Sequence, residues 1–178
     1  MHPHMLLEID SSFDPRGQGR RSYRCSVLDA IDIMLIHQLI GRYGHLIDHR
    51  QWDQFGELFV PDATIDYRGG TGHVERHGRE AIVDWFRALD DTHPAAHHVT
   101  NIVVDDSADA TGRVDVHSKF LAPFTRGAHV PKRLYGGEYH DVVVKTVDGW
   151  RFAHKQCTPM WQLAVVVDDD APDHRLTY

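Results

Sequence analysis

Cysteine is scarce in this chain: Cys25 and Cys157 are the only two among 178 residues. They form neither a metal-binding spacing nor a disulfide framework, so they read as two free thiols in a reducing compartment. Long apolar runs are also missing. None approaches the roughly 20 residues that a membrane-spanning helix needs. Met1-His2-Pro3-His4 leads into no signal-peptide pattern, which points to a cytoplasmic protein. Basic runs are absent as well. With 19 basic residues, 26 acidic ones and a formal net charge of −7, nucleic acid and anionic membranes are poor partners. No internal repeat or low-complexity segment is visible.

What the chain has in quantity is histidine, with fifteen. Their spacings do not answer the metal question. His73 and His77 are four apart, but Gly72 and Gly78 flank them and argue against a helix carrying both. His93, His97 and His98 straddle Pro94. No Cys/His/Asp pattern of fixed spacing supports a dedicated site, so neither metal nor cofactor is expected.

The length favours one domain, which at this size can bury roughly 70% of its unfolded surface. Residues 1–24 are polar, broken by Pro15, Gly17 and Gly19, and read as a flexible lead-in. Residues 25–167 form the domain, and 168–178 an acidic tail. Ile31, Leu35, Leu39, Tyr43 and Ile47 repeat at helical spacing, widened by Ile36 and Ile40. This predicts a helix from Asp29, as cap or first-turn acid, to about His49. A short second helix is predicted from Gln51 to Val60, stopped by Pro61-Asp62. Ala63–Tyr67 reads as a strand closed by Gly69-Gly70, and Arg79–Leu89 as a third helix. Strand-like runs follow over Ala96–Val104, Thr111–Phe124, Leu134–Val147 and Trp150–Val167, with turns at Asp105-Asp106 and Asp148-Gly149. Helices first and a strand meander after them predict an α+β fold. Its antiparallel sheet is packed on one face by about three helices around an apolar pocket.

The chemistry-bearing residues are few. Asp48 sits at the end of the first helix, where a carboxylate opposes the helix dipole. It is either a solvated surface acid or held by a specific partner. His97 and His98 open a strand and point to opposite faces, and periodicity leaves open which one faces the pocket. A histidine and a carboxylate on two elements are the minimum for a general base and its orienter. Tyr43 is either a core residue or a hydroxyl donor. Tyr67 is a second hydroxyl donor. Ser118 alternates with His117 and Lys119, and the apolar parity places it inward. Glu138 and His140 share one strand face, either a polar surface or part of a pocket. Trp85 reads as core or pocket wall.

Three segments carry a resemblance. They are Ile47-Asp48-His49-Arg50-Gln51-Trp52-Asp53 leading to Ile65-Asp66-Tyr67-Arg68, then His97-His98-Val99-Thr100-Asn101, and Gly137-Glu138-Tyr139 through Asp148-Gly149-Trp150-Arg151-Phe152. With the element order, they make residues 28–160 resemble the SnoaL-like branch of the nuclear-transport-factor-2-like superfamily, and scytalone dehydratases within it. The resemblance implies a cone-shaped curved sheet and a cofactor-independent dehydratase. In it His97 is the base, Asp48 its orienter, and Tyr43 and Tyr67 polarise a substrate oxygen. It chooses His97 over His98. It places Glu138 and His140 in the pocket, and His98, Asn101, Trp85 and Ser118 are further expected substrate contacts. The sequence departs from the pattern at Ile47, where those enzymes have a tyrosine, so scytalone is not the expected substrate. A small hydrophobic oxygenated ring compound is, together with a homo-oligomer, trimer ahead of dimer. The same dyad would serve a dehydrohalogenase or a ketosteroid-type isomerase. A non-catalytic small-molecule-binding or assembly module is the reading from another class.

Overall fold

The computed structural model describes residues 28–69, 72–89, 94, 96–105, 112–124 and 133–164. The lead-in over 1–24, Cys25 and the tail over 168–178 lie outside them. The elements are α1 (Ala30–Asp48), α2 (Trp52–Gly56), β1 (Phe59–Gly69), β2 (Gly72–His77), α3 (Arg79–Ala88), β3 (His98–Val104), β4 (Arg113–Phe124), β5 (Arg133–Thr146) and β6 (Gly149–Ala164). The six strands make one curved sheet in the order β2-β1-β6-β5-β4-β3, with the helices against it, so the α+β cone stands. One pairing breaks the antiparallel meander: β1 runs parallel to β6. No helix among the described residues is long and apolar enough to cross a membrane.

The first helix starts where expected. The Asp29 side chain accepts from the Asp32 N–H at 2.8 Å and caps it. Its inward face is Ile36, Leu39, Ile40, Tyr43 and Ile47, all buried. Ile31 and Leu35, counted in the predicted stripe, are instead 65% and 45% exposed. Asp32 takes the inward place one turn before Ile36. It accepts from Lys145 Nζ at 2.7 Å and from Trp150 Nε1 at 3.0 Å.

The second helix is shorter than predicted. It ends at Gly56, because the residues from Leu58 onward are claimed by the sheet: the Phe152 N–H donates to the Leu58 carbonyl at 2.8 Å, and Phe59 packs on Phe152 at 5.4 Å. Pro61 therefore lies inside β1 rather than stopping a helix. The register shift between Phe59 and Thr64 accommodates its missing N–H. The extra strand β2 was not predicted, since its polar sequence offers no apolar alternation to read.

Strand parity divides the sheet into two chemically different faces. Ile65, Tyr67, Val116, Ser118, Phe120, Tyr139, Asp141, Val143, Lys155 and Cys157 face the helices. Thr64, Asp66, His117, Lys119, Glu138, His140, His154 and Gln156 face outward. The core is the aromatic layer between α1, α3 and the sheet, where Phe55 meets Tyr43, Phe59 and Phe86 at centroid distances of 5.5, 5.3 and 5.2 Å.

Candidate active site

Asp48 is placed by how α1 ends. Arg50 adopts a left-handed φ of 56°. The Gln51 N–H then returns to the Leu46 carbonyl at 2.9 Å, and the Arg50 N–H to the Ile47 carbonyl at 3.2 Å, a Schellman closure. The Arg50 guanidinium also donates to the Ile47 and Asp48 carbonyls at 3.2 and 3.1 Å, offsetting the negative helix end. One turn earlier, α1 closely approaches the segment before β3. A Cβ on Gly44 would stand 3.3 Å from both the Cβ and the carbonyl oxygen of His97. This close approach brings the last turn of α1 against His97.

The carboxylate of Asp48 holds His97 at two points. Oδ1 lies 2.6 Å from the ring Nδ1, and Oδ2 accepts from the His97 backbone N–H at 2.8 Å. The two side chains are only 14% and 7% exposed. Of the two sequence alternatives for Asp48, the structure therefore takes the partnered one. His97 precedes β3 rather than starting it, and His98 opens the strand, exposed. A bonded Nδ1–H fixes the tautomer that leaves Nε2 as the basic nitrogen.

From His97 a chain of contacts runs inward. Its ring stands edge-on to Tyr43 at 6.0 Å, and the Tyr43 and Tyr67 hydroxyls are 2.5 Å apart. Burial raises both phenols well above their ordinary range, so both stay protonated donors. Trp85 packs on the Tyr67 ring at 5.2 Å. Ser118 is buried on the inner face opposite Tyr139, and its Oγ has no hydrogen-bond partner among the described residues.

Two residues are absent from the sequence reading. Lys155 is fully buried with Nζ 3.0 and 3.2 Å from the carboxylate oxygens of Asp141. The ammonium lies 4.2 Å from the Tyr43 ring centroid, 3.8 Å from that of Tyr139 and 5.0 Å from that of Phe152. Burial lifts the Asp141 carboxyl above its ordinary value, against the pull of Lys155. Burial also lifts the Cys157 thiol to about 12, so it is no nucleophile. The usable signal was parity: Asp141 shares its face with Tyr139 and Val143, and Lys155 pairs with it across the β5–β6 hairpin.

The remaining expected pocket residues fall elsewhere. Glu138 and His140 face outward, Glu138 in an ion pair with Lys119 and 3.5 Å from His140 Nε2. Their pocket placement is corrected by one residue of register, which moves a side chain to the other face. Tyr139 and Asp141 hold the inward positions. Asn101 is exposed at a bulge in β3, with φ 52°, a conformation asparagine tolerates. That bulge puts both Val99 and Ile102 inward. A groove of about 560 Å³ between α1 and β3 touches the dyad, lined among others by His37, His45, Asp48, His97, His98 and Ile102. Tyr43, Tyr67 and Trp85 are not on this groove but on the interior side of His97.

The chain matches the SnoaL-like domain family over residues 29–156. It is 32% identical over 139 residues to the uncharacterized protein Rv2910c of Mycobacterium tuberculosis, covering 77% of this chain and 91% of the other. Among solved structures, a protein of Novosphingobium aromaticivorans assigned as a scytalone dehydratase superposes with a TM-score of 0.65 and 23% identity, over 83% of this chain and 96% of that one. The Kfla4162 protein of Kribbella flavida gives 0.66 and 25%, over 75% and 93%. A hexachlorocyclohexane dehydrochlorinase, LinA type 2, gives 0.66 and 16%, over 81% and 95%. The last two structures and the first share the fold described above.

Proposed function

The chain belongs to the SnoaL-like family, and from that premise we propose that it is a cofactor-independent lyase acting on a hydrophobic, oxygenated ring compound. The observation that carries the reading is the double hold of Asp48 on His97, which leaves one ring nitrogen as a base beside a line of phenols. In the proposed step, His97 Nε2 takes a proton from the carbon next to a carbonyl. The Tyr43–Tyr67 pair lies on the interior side of His97, so the step requires the substrate carbonyl to reach inward past His97, where the pair donates to its oxygen as negative charge develops. Asp48 stabilises the imidazolium. The enolate then reforms the carbonyl, a carbon–carbon double bond forms, and the β-hydroxyl leaves. His97 returns its proton to that oxygen, so water is released and the base is regenerated.

The same dyad supports a second reading, dehydrohalogenation, favoured by the structural likeness to the dehydrochlorinase. There a halide leaves without needing a proton. A panel of cyclic β-hydroxyketones and halogenated rings separates the two: the lyase reading expects dehydration with no halide from the halogenated set. Halide release alone would move the assignment to a dehydrohalogenase. Tight binding of ring compounds with no turnover of any would favour a binding module.

A further inference from the structure

We propose that the outer face of the β1–β2 hairpin binds one divalent transition-metal ion of the zinc type through Asp66, His73 and Glu75. The site stands on the opposite face of the sheet from the dyad and is independent of the proposed reaction.

The pattern His73-x-Glu75-x-His77 is a metal spacing only on a strand. Alternation along β2 sends all three side chains to one face. The register then sets Asp66 of β1 directly opposite Glu75. His73 Nε2 lies 2.7 Å from Asp66 Oδ1 and 3.3 Å from Glu75 Oε1. The donor atoms of these three residues all lie within 4.8 Å of one another. Ligands about 2.0–2.2 Å from zinc stand roughly 3–3.5 Å apart, so small rotations of His73 and Glu75, both about half-exposed, close the cage. His77 Nε2 lies 3.9 Å from Glu75 Oε2 and stands ready as a fourth ligand.

The donor set has a rigid anchor. Asp66 is 5% exposed. Arg68 holds Oδ2 at 2.6 Å and thereby orients Oδ1 toward His73, as an outer partner orients a metal-binding carboxylate. The guanidinium charge also opposes the cation, which sets a moderate affinity. The His73 imidazole beside two carboxylates favours zinc, cobalt, nickel or copper over magnesium and calcium. Metal binding replaces the His73–Asp66 hydrogen bond with two metal bonds, and the His73 ring then carries its proton on Nδ1.

The test titrates the full chain with Co²⁺, read by its visible absorption, and with Zn²⁺, read by calorimetry in a non-chelating buffer. The expected result is saturation at one equivalent. His73→Ala and Glu75→Gln each weaken binding by about tenfold or more. His117→Ala/His140→Ala, on another outward-facing histidine pair, leaves it unchanged. Zn²⁺ should also raise the melting temperature of the wild type and not of His73→Ala, a readout that needs no substrate. Wild-type protein that shows no saturable binding, or His73→Ala that keeps the wild-type stoichiometry and affinity, overturns the proposal. Either result leaves the dyad assignment untouched.

Discussion

Asp48 accepts two hydrogen bonds from one residue, the ring and the backbone N–H of His97, at 2.6 and 2.8 Å. A carboxylate can accept both; an amide cannot. In Asp48→Asn the amide oxygen takes the backbone N–H, and the NH₂ then donates to Nδ1. This forces the proton onto Nε2 and removes the base. The expected outcome is a turnover loss on the order of 10²–10⁴-fold with the fold retained, checked by steady-state rates and a thermal melt.

The Asp141–Lys155 pair is fully buried beneath three aromatic rings. Lys155→Met strands a buried carboxylate and should cost about 3–5 kcal/mol by urea denaturation. Lys155→Met/Asp141→Leu should recover much of that loss, because both charges are gone. Burial already raises the Asp141 carboxyl, and removing Lys155 raises it further. The single variant's deficit should therefore shrink as pH falls and Asp141 takes up a proton.

The helices and the long strands are legible because each rests on a short-range signal, the 3.6-residue stripe of α1 and the strand-like runs of β4 to β6. The pairing of Asp48 with His97, 49 residues apart, is not of that kind: it comes only from the family resemblance, and the structure brings the two side chains into contact. What was not legible depends on parity and pairing. Glu138 and His140 were set one register out, because β5 carries polar residues on both faces and only its neighbours decide which face is inner. Asp141–Lys155 escaped notice for the same reason: a lysine in a strand reads as exposed until its partner across the hairpin is known. The end of α2 was misplaced because the parallel β1–β6 pairing, a contact between residues about ninety apart, overrides the local helical pattern.

Asp32 supplies a pH test of the fold. The Lys145 hydrogen bond, and then that of Trp150, hold its carboxyl below the usual range. Its folded value lies below its unfolded one, so it adds stability above the ordinary carboxylate pKa. That contribution is lost as pH falls through the folded value. Asp32→Asn keeps an acceptor for Trp150 and removes the charge. It should lower the urea midpoint at neutral pH, modestly because Lys145 is largely solvated, and match the wild type once the pH lies below the folded value of Asp32.

The proposal that His97 is the base of an elimination is tested most directly by kcat/KM of His97→Ala against wild type. The substrate is the first cyclic hydroxyketone or halogenated ring that the wild type turns over. The account predicts a fall on the order of 10²–10⁴-fold or more, with the melting temperature little changed. A variant that turns the same compound over at the wild-type rate would contradict it.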